Sequence, residues 1–279
     1  MVKTLALTGL VATALLAGCQ RREEPQEPAP QPAPAVEEPE VTPADAGAPM
    51  SFEESSPYAS VEMSFPDAIR SQPDLHARLY REGVRVLRQF SEGAQADRSE
   101  FQGEIELPPY ARNIEYALAL ETGKLLSLRR LDYEYAGGAH PNNAYGSVLW
   151  DKALRREVGA RDLFRRGADL TALDRALCQA INQAKRARTG SSEILTLERS
   201  DGWACPRAAD TPYVLAPSTT PGRAGGLIFL IGPYVVGPHA EGGYEIAVPL
   251  SAFRGLLNAA YADEFDGAPA RTGDVTERS

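Results

Sequence analysis

The chain has 279 residues, 43% of them hydrophobic, and a formal charge of −9. That length can bury a substantial core, and an acidic balance excludes the basic footprint of a nucleic-acid binder. The acidity is concentrated in residues 20–57, where Arg21 and Arg22 face nine acids; residues 58–279 are nearly neutral.

In chain order, the first element is an apolar run from Leu5 to Ala17 behind Lys3. It is shorter than the ~20 residues of a membrane span and reads as a secretory signal over 1–18. It ends in Leu16-Ala17-Gly18-Cys19, which resembles the lipobox of bacterial lipoproteins. The resemblance implies cleavage before Cys19 and acylation of its thiol, with palmitate among the fatty acids. The partner would then be a lipid bilayer, and the address an oxidising cell envelope. Gln20 rather than Asp comes next. By resemblance to sorting in Gram-negative bacteria, this implies the outer membrane, facing the periplasm. Residues 19–57 then read as a tether. Nine of the chain's 22 prolines lie in residues 20–57 among Glu, Ala and Gln, so the segment is stiff, charged and short of apolar surface.

The globular part begins with a strand over 59–65, with Val61, Met63 and Phe65 on one side. Pro73 opens a helix whose apolar face is Leu75, Leu79, Val86 and Phe90. The next strand has Ile114, Tyr116, Leu118 and Leu120 alternating. Thr122-Gly123 turns it into a second strand, 124–135. Alternation slips there near Arg129-Arg130, which predicts a bulge. A third strand over 144–151 completes an antiparallel meander. Asp169–Arg188 reads as a helix with Leu170, Leu173, Leu177, Ile181 and Ala184 on one face. Strands over 213–216, 226–231 and 243–248 come next, then a helix capped by Ser251 and carrying Phe253, Leu256, Leu257 and Ala260. The tail from Ala262 reads as frayed.

With Cys19 committed to lipid, Cys178 and Cys205 remain. In an oxidising compartment two thiols suggest a disulfide; the alternative is that Cys178 packs in the core beside Leu173, Leu177 and Ile181.

Two stretches stand out as functional candidates. Tyr133-Glu134-Tyr135-Ala136-Gly137-Gly138-Ala139-His140-Pro141-Asn142 is a turn-rich loop holding one of three histidines, the others being His76 and His239. His140 reads as a ligand-loop residue, a metal ligand or a general base, or as a histidine bonded to nearby backbone. Gly232-Pro233-Tyr234-Val235-Val236-Gly237-Pro238-His239-Ala240-Glu241-Gly242 is a Gly/Pro-rich loop between two strands. Tyr and His on a stiff loop suit recognition; alternatively, Tyr234 packs on the sheet.

Together these runs, ahead of Val248-Pro249-Leu250, resemble the RsiV/PdaC-like extracytoplasmic family, over about Tyr58 to Tyr261. That family pairs two small domains. It includes the outer part of a lysozyme-sensing anti-sigma factor and the accessory domain of a peptidoglycan deacetylase. The resemblance implies a binding module for a cell-wall glycan, or for a wall-active protein such as lysozyme. Its ligand-binding residues would be His140, Pro141, Asn142, Pro233, Tyr234 and His239. No catalytic residue, metal or cofactor is expected. The rival is an envelope hydrolase or metal enzyme in which His140 and His239 meet and Glu241 completes the ligand set. A third reading is a purely structural envelope protein. The expected fold class is α+β, in two small halves, each an antiparallel sheet packed with a helix. The first half covers 58–166, the second 167–261, and a flexible tail covers 262–279.

Overall fold

The computed structural model describes residues 47–100, 108–198 and 202–277. The signal segment, Cys19 and the tether as far as residue 46 lie outside the described residues. Among those described, no helix is long and apolar enough to cross a membrane.

The fold is α+β in two halves. The first is a six-stranded sheet in the order β1 (Ser51–Ser55), β2 (Ala59–Ser64), β3 (Tyr110–Glu121), β4 (Leu125–Tyr135), β5 (Asn142–Asp151) and β6 (Arg156–Glu157). Helix α1 (Pro73–Glu100) joins β2 to β3. That crossover makes β2 and β3 parallel, with Val61 opposite Arg112 and Met63 opposite Ile114. The first sheet is therefore mixed, not wholly antiparallel as expected, because a strand–helix–strand unit returns the chain in its original direction. Strand β1 corrects the tether, whose expected end at residue 57 runs past it. The anchor is Phe52, which meets Tyr80 of α1 edge-on with ring centroids 6.5 Å apart. Its Ser- and Glu-rich neighbours disguise the strand.

Helix α1 covers one face of this sheet. Leu75, Leu79 and Leu87 pack there on Val61, Met63, Ile114, Tyr116, Leu126, Leu128, Val148 and Trp150. His76 is buried as well, with Nε2 3.1 Å from the Pro49 carbonyl oxygen. The opposite face is buried too, through Leu125 and Leu149, against the second half. Burial on both faces explains the broken alternation of β4, where Leu125, Leu126, Ser127 and Leu128 are all buried. Strand β4 runs in unbroken register with β5 through Arg129 and Arg130, so no bulge forms there. The irregularity sits in β3 instead: Leu118 pairs with Leu128 and Leu120 with Ser127, leaving Ala119 as the extra residue. An extra residue turns the remainder of the strand to the other face, and Leu120 packs against the second core.

The second half is an antiparallel sheet in the order β10 (Gly273–Asp274), β9 (Tyr244–Pro249), β8 (Ala224–Ile231) and β7 (Tyr213–Pro217). Helix α2 (Thr171–Thr189) buries Leu173, Leu177, Ile181 and Ala184 against it. Strand β7 abuts the first sheet, where the Leu215 amide donates to Ser127 Oγ at 3.0 Å. That contact gives an otherwise buried N–H its acceptor. Cys178 of α2 and Cys205 are joined in a disulfide with Cα atoms 5.3 Å apart.

Two expectations for the C-terminal region need correction. The helix after Ser251 is replaced by short 3-10 turns at Leu250–Ala252 and Arg254–Leu256. Phe253 breaks the helical path at φ −144°, and Leu257 is extended. The turns still bury Leu250, Phe253, Leu257 and Tyr261, so the apolar spacing is satisfied without a continuous helix. The tail is not frayed through residue 277. Phe265 and Val275 are buried, and Gly273–Asp274 pairs with β9. Gly225 admits this packing: a Cβ there would lie 2.3 Å from the Ala268 carbonyl carbon.

Candidate functional site

The two distinctive loops meet. The β4–β5 connection carries His140 and the β8–β9 connection carries Tyr234 and His239. The imidazoles of His140 and His239 stack with centroids 3.9 Å apart and planes 20° from parallel. Tyr234 Oη lies 3.2 Å from His140 Nε2, and its ring centroid is 5.4 Å from that of His239. His140 Nδ1 lies 3.0 Å from the Pro141 carbonyl oxygen. A neutral ring protonated on Nδ1 donates to that carbonyl and accepts from the tyrosine hydroxyl. His239 Nε2 is buried without a hydrogen-bond partner among the described residues.

Tyr234 is half exposed, at 50%, and Val235 beside it is 44% exposed. The Tyr234 backbone has φ +64°, the left-handed region that is unfavourable for a bulky side chain. An apolar ring is therefore presented to solvent on a strained turn. Beside it runs a groove of about 380 Å³, bordered by Asn142, Tyr145, Pro212, Pro233, Tyr234 and Val235. Of the six residues expected to bind ligand, His140, Tyr234 and His239 form the ring cluster. Asn142, Pro233 and Tyr234 line the groove. Pro141 contributes its carbonyl to the His140 ring.

The loop is held from beneath by residues that sequence reasoning missed. Lys185 of α2 is 1% exposed, and its ammonium donates to Val236 O at 2.7 Å and to Glu241 Oε2 at 2.7 Å. The Tyr244 hydroxyl donates to the same carboxylate at 2.8 Å. Arg188 lies 3.6 Å from the Tyr244 ring centroid and donates to Glu241 O and Gly243 O at 2.9 and 2.6 Å. Its other terminal nitrogen reaches Asp274 Oδ2 at 2.7 Å and Thr276 Oγ1 at 3.1 Å. Burial by itself would raise the Glu241 carboxyl. Hydrogen bonds from Lys185 and Tyr244, with the charges of Lys185 and Arg188, bring it below its ordinary range. Burial pushes the Tyr244 hydroxyl up, and its bond to Glu241 adds to the rise. A signal for Lys185 exists in the sequence: it continues the Leu173, Leu177, Ile181 ladder at intervals of four, on the buried side of the helix.

This network decides against Glu241 as a metal ligand. Its carboxylate is committed to Lys185 and Tyr244, and the two imidazoles stack rather than converge on a common point. Among the described residues, no group of three or more His, Cys, Asp or Glu side chains is arranged to hold a metal ion.

Comparison with known proteins bears on the fold. The family model described as Deacetylase PdaC matches residues 52–143, a stretch that includes His140 but not the Tyr234 loop. A crystal structure of a DUF3298 family member from Bacteroides fragilis is similar, with 18% identity and a TM-score of 0.52. The match covers 77% of this chain and 94% of that one. A DUF3298 family protein from Pseudomonas aeruginosa matches with 14% identity and a TM-score of 0.50, covering 79% of this chain and 94% of that one. No curated protein matches. Residues 52–143 are thus similar to the PdaC domain, and the chain carries the fold of the DUF3298 proteins.

Proposed function

We propose that the paired loops form a non-catalytic recognition face for a cell-wall glycan or a wall-active protein such as a lysozyme. In this reading the protein is a lipoprotein tethered to the cell envelope through acylated Cys19. The observation that carries the proposal is the presentation of Tyr234. Its ring is exposed, fixed against His140 and set on a strained turn beside a groove. A preorganised aromatic ring supplies contact area to a sugar face or an apolar protein surface at little entropic cost. The buried Lys185–Glu241 clamp supports this by keeping the loop rigid. The described residues all fall in one compact unit, so a chain lacking residues 1–40 suits the test. It should pellet with purified peptidoglycan or inhibit lysozyme, and Tyr234→Ala should abolish that effect in folded protein. Failure in both assays refutes the proposal. Metabolic labelling with a palmitate analogue tests the anchor: label on the natural protein, absent from Cys19→Ser, is the expected result.

A further inference from the structure

A second cavity, of about 800 Å³, is lined by none of the residues of the two loops. Its walls come from the segment linking β5 to α2, from the turns around Asn258 and Tyr261, and from Lys124. The linking segment is the most basic part of the chain. Residues 152–166 hold Lys152, Arg155, Arg156, Arg161, Arg165 and Arg166 against Glu157 and Asp162, in a chain of net charge −9. Five cations line the cavity, and its carboxylates are Asp151 and Asp162.

Several of these charges have assigned work. Asp151 accepts from the amides of Ala153 and Leu154 at 3.0 and 2.9 Å, and from the Tyr261 hydroxyl at 3.1 Å. Lys124 is paired with Asp263 at 2.8 Å. Arg165 donates to the Gly255 carbonyl oxygen, and Arg161 lies 4.0 Å from Asp210. Arg156 bonds to the neutral Tyr261 hydroxyl. Arg156 and Arg166 have no ion-pair partner among the described residues. Two guanidinium groups without a direct ion pair thus line one concavity, where five cations outnumber Asp151, opposite Arg156 in the β5–β6 ladder, and Asp162, and whose floor includes buried Phe164 and Tyr261. Like charges held in a recess repel, and a recess focuses their field.

We infer that this cavity binds a phosphate-bearing ligand. The planar donor fork of arginine matches phosphate oxygens, and charge-assisted bonds of this kind are strong. The volume lies in the range of small-molecule sites, roughly 300–1,000 Å³. Leu154, 60% exposed, and Leu170 add apolar wall for the rest of an organic phosphate. Two sources share this chemistry, a soluble phosphate compound and a phospholipid headgroup.

The test is calorimetric titration of the full chain at low salt with pyrophosphate and, separately, with monomeric short-chain phosphatidylglycerol. Saturable binding of either is expected, weakened about tenfold in Arg166→Gln and further in Arg156→Gln/Arg166→Gln, since a hydrogen bond to a charged group contributes about 1.5–3 kcal/mol. Preference for pyrophosphate identifies a soluble ligand, and preference for the lipid identifies a headgroup. Arg166 is exposed, so the single variant keeps the test valid if the double variant fails to fold, as judged by circular dichroism. Absence of saturable binding to both probes, or unchanged affinity in folded Arg166→Gln, overturns the inference.

Discussion

The Lys185 ammonium lies 2.7 Å from the Glu241 carboxylate, joining helix α2 to the loop that presents Tyr234. Both groups are largely removed from water, with side-chain exposures of 2% and 16%. Removing one partner leaves the other charge poorly solvated. Lys185→Met should therefore destabilise the protein by about 3 kcal/mol in urea unfolding. Lys185→Met/Glu241→Gln should lose less than the sum of the two single variants, by about 1 kcal/mol or more. Strict additivity would show that the pair does not act as a unit.

The same clamp sets a direction for acid sensitivity. Glu241 and Asp274 both have carboxyls lowered from their ordinary values of 4.5 and 3.8. In each, burial opposes the shift and is outweighed: at Glu241 by Lys185 and Tyr244, at Asp274 by Thr276 and Arg188. A carboxylate that holds a proton less readily when folded contributes stability above its unfolded pKa. That contribution disappears as pH falls through the folded value. Melting temperature should drop steeply from about pH 5 to pH 3, and the drop should be shallower in Glu241→Gln. An identical slope in the variant would remove Glu241 from the account.

Under the proposed function, Tyr234 separates stability from recognition. Its φ of +64° is costly for tyrosine and free for glycine. Tyr234→Gly should melt no lower than the natural protein, because relief of about 1–2 kcal/mol of strain offsets the added chain entropy and the lost ring contacts. It should nevertheless lose capture of peptidoglycan or lysozyme. A marked fall in melting temperature would show that the ring is structural rather than presented.

Much of this architecture is legible in the residues. The β3–β4–β5 meander follows from alternation and the Thr122-Gly123 turn, and both long helices follow from their apolar ladders. The features that escape local pattern are set by distant partners. Strand β2 pairs in parallel with β3 because α1 returns the chain. The irregular alternation of β4 reflects a second core on its far face. Ser51–Ser55 and the segment after Ala262 look polar, yet single residues, Phe52, Phe265 and Val275, dock them. The site divides in the same way. Glycine, proline, tyrosine and histidine mark each loop, whereas their meeting through His140 and His239 depends on how the two halves pack.

Gly225 tests the docking of the tail. A methyl group there would collide with the Ala268–Pro269 backbone, at 2.3–2.5 Å, and backbone yields less readily than a side chain. Gly225→Ala should cost about 2–3 kcal/mol and speed amide exchange at Ala270 and Val275, whose N–H groups bond to Pro217 and Glu245. Unchanged exchange would mean that the tail does not need that close approach.

The disulfide offers a further handle. Cys178 and Cys205 are separated by 27 residues, and closing a loop of that size contributes roughly 3 kcal/mol by restricting the unfolded chain. Adding dithiothreitol should lower the melting temperature, while Cys178→Ser/Cys205→Ser should already melt low and respond no further.

Because Arg188 reaches both the Tyr234 loop and Asp274, the loop's scaffold includes a residue that leaves the ribosome after the loop itself. A message truncated before codon 273 yields a polypeptide in which Arg188 lacks the Asp274 carboxylate and β9 lacks its β10 neighbour. Under the proposed reading, such a product would carry Tyr234 on a loop that has lost one of its supports.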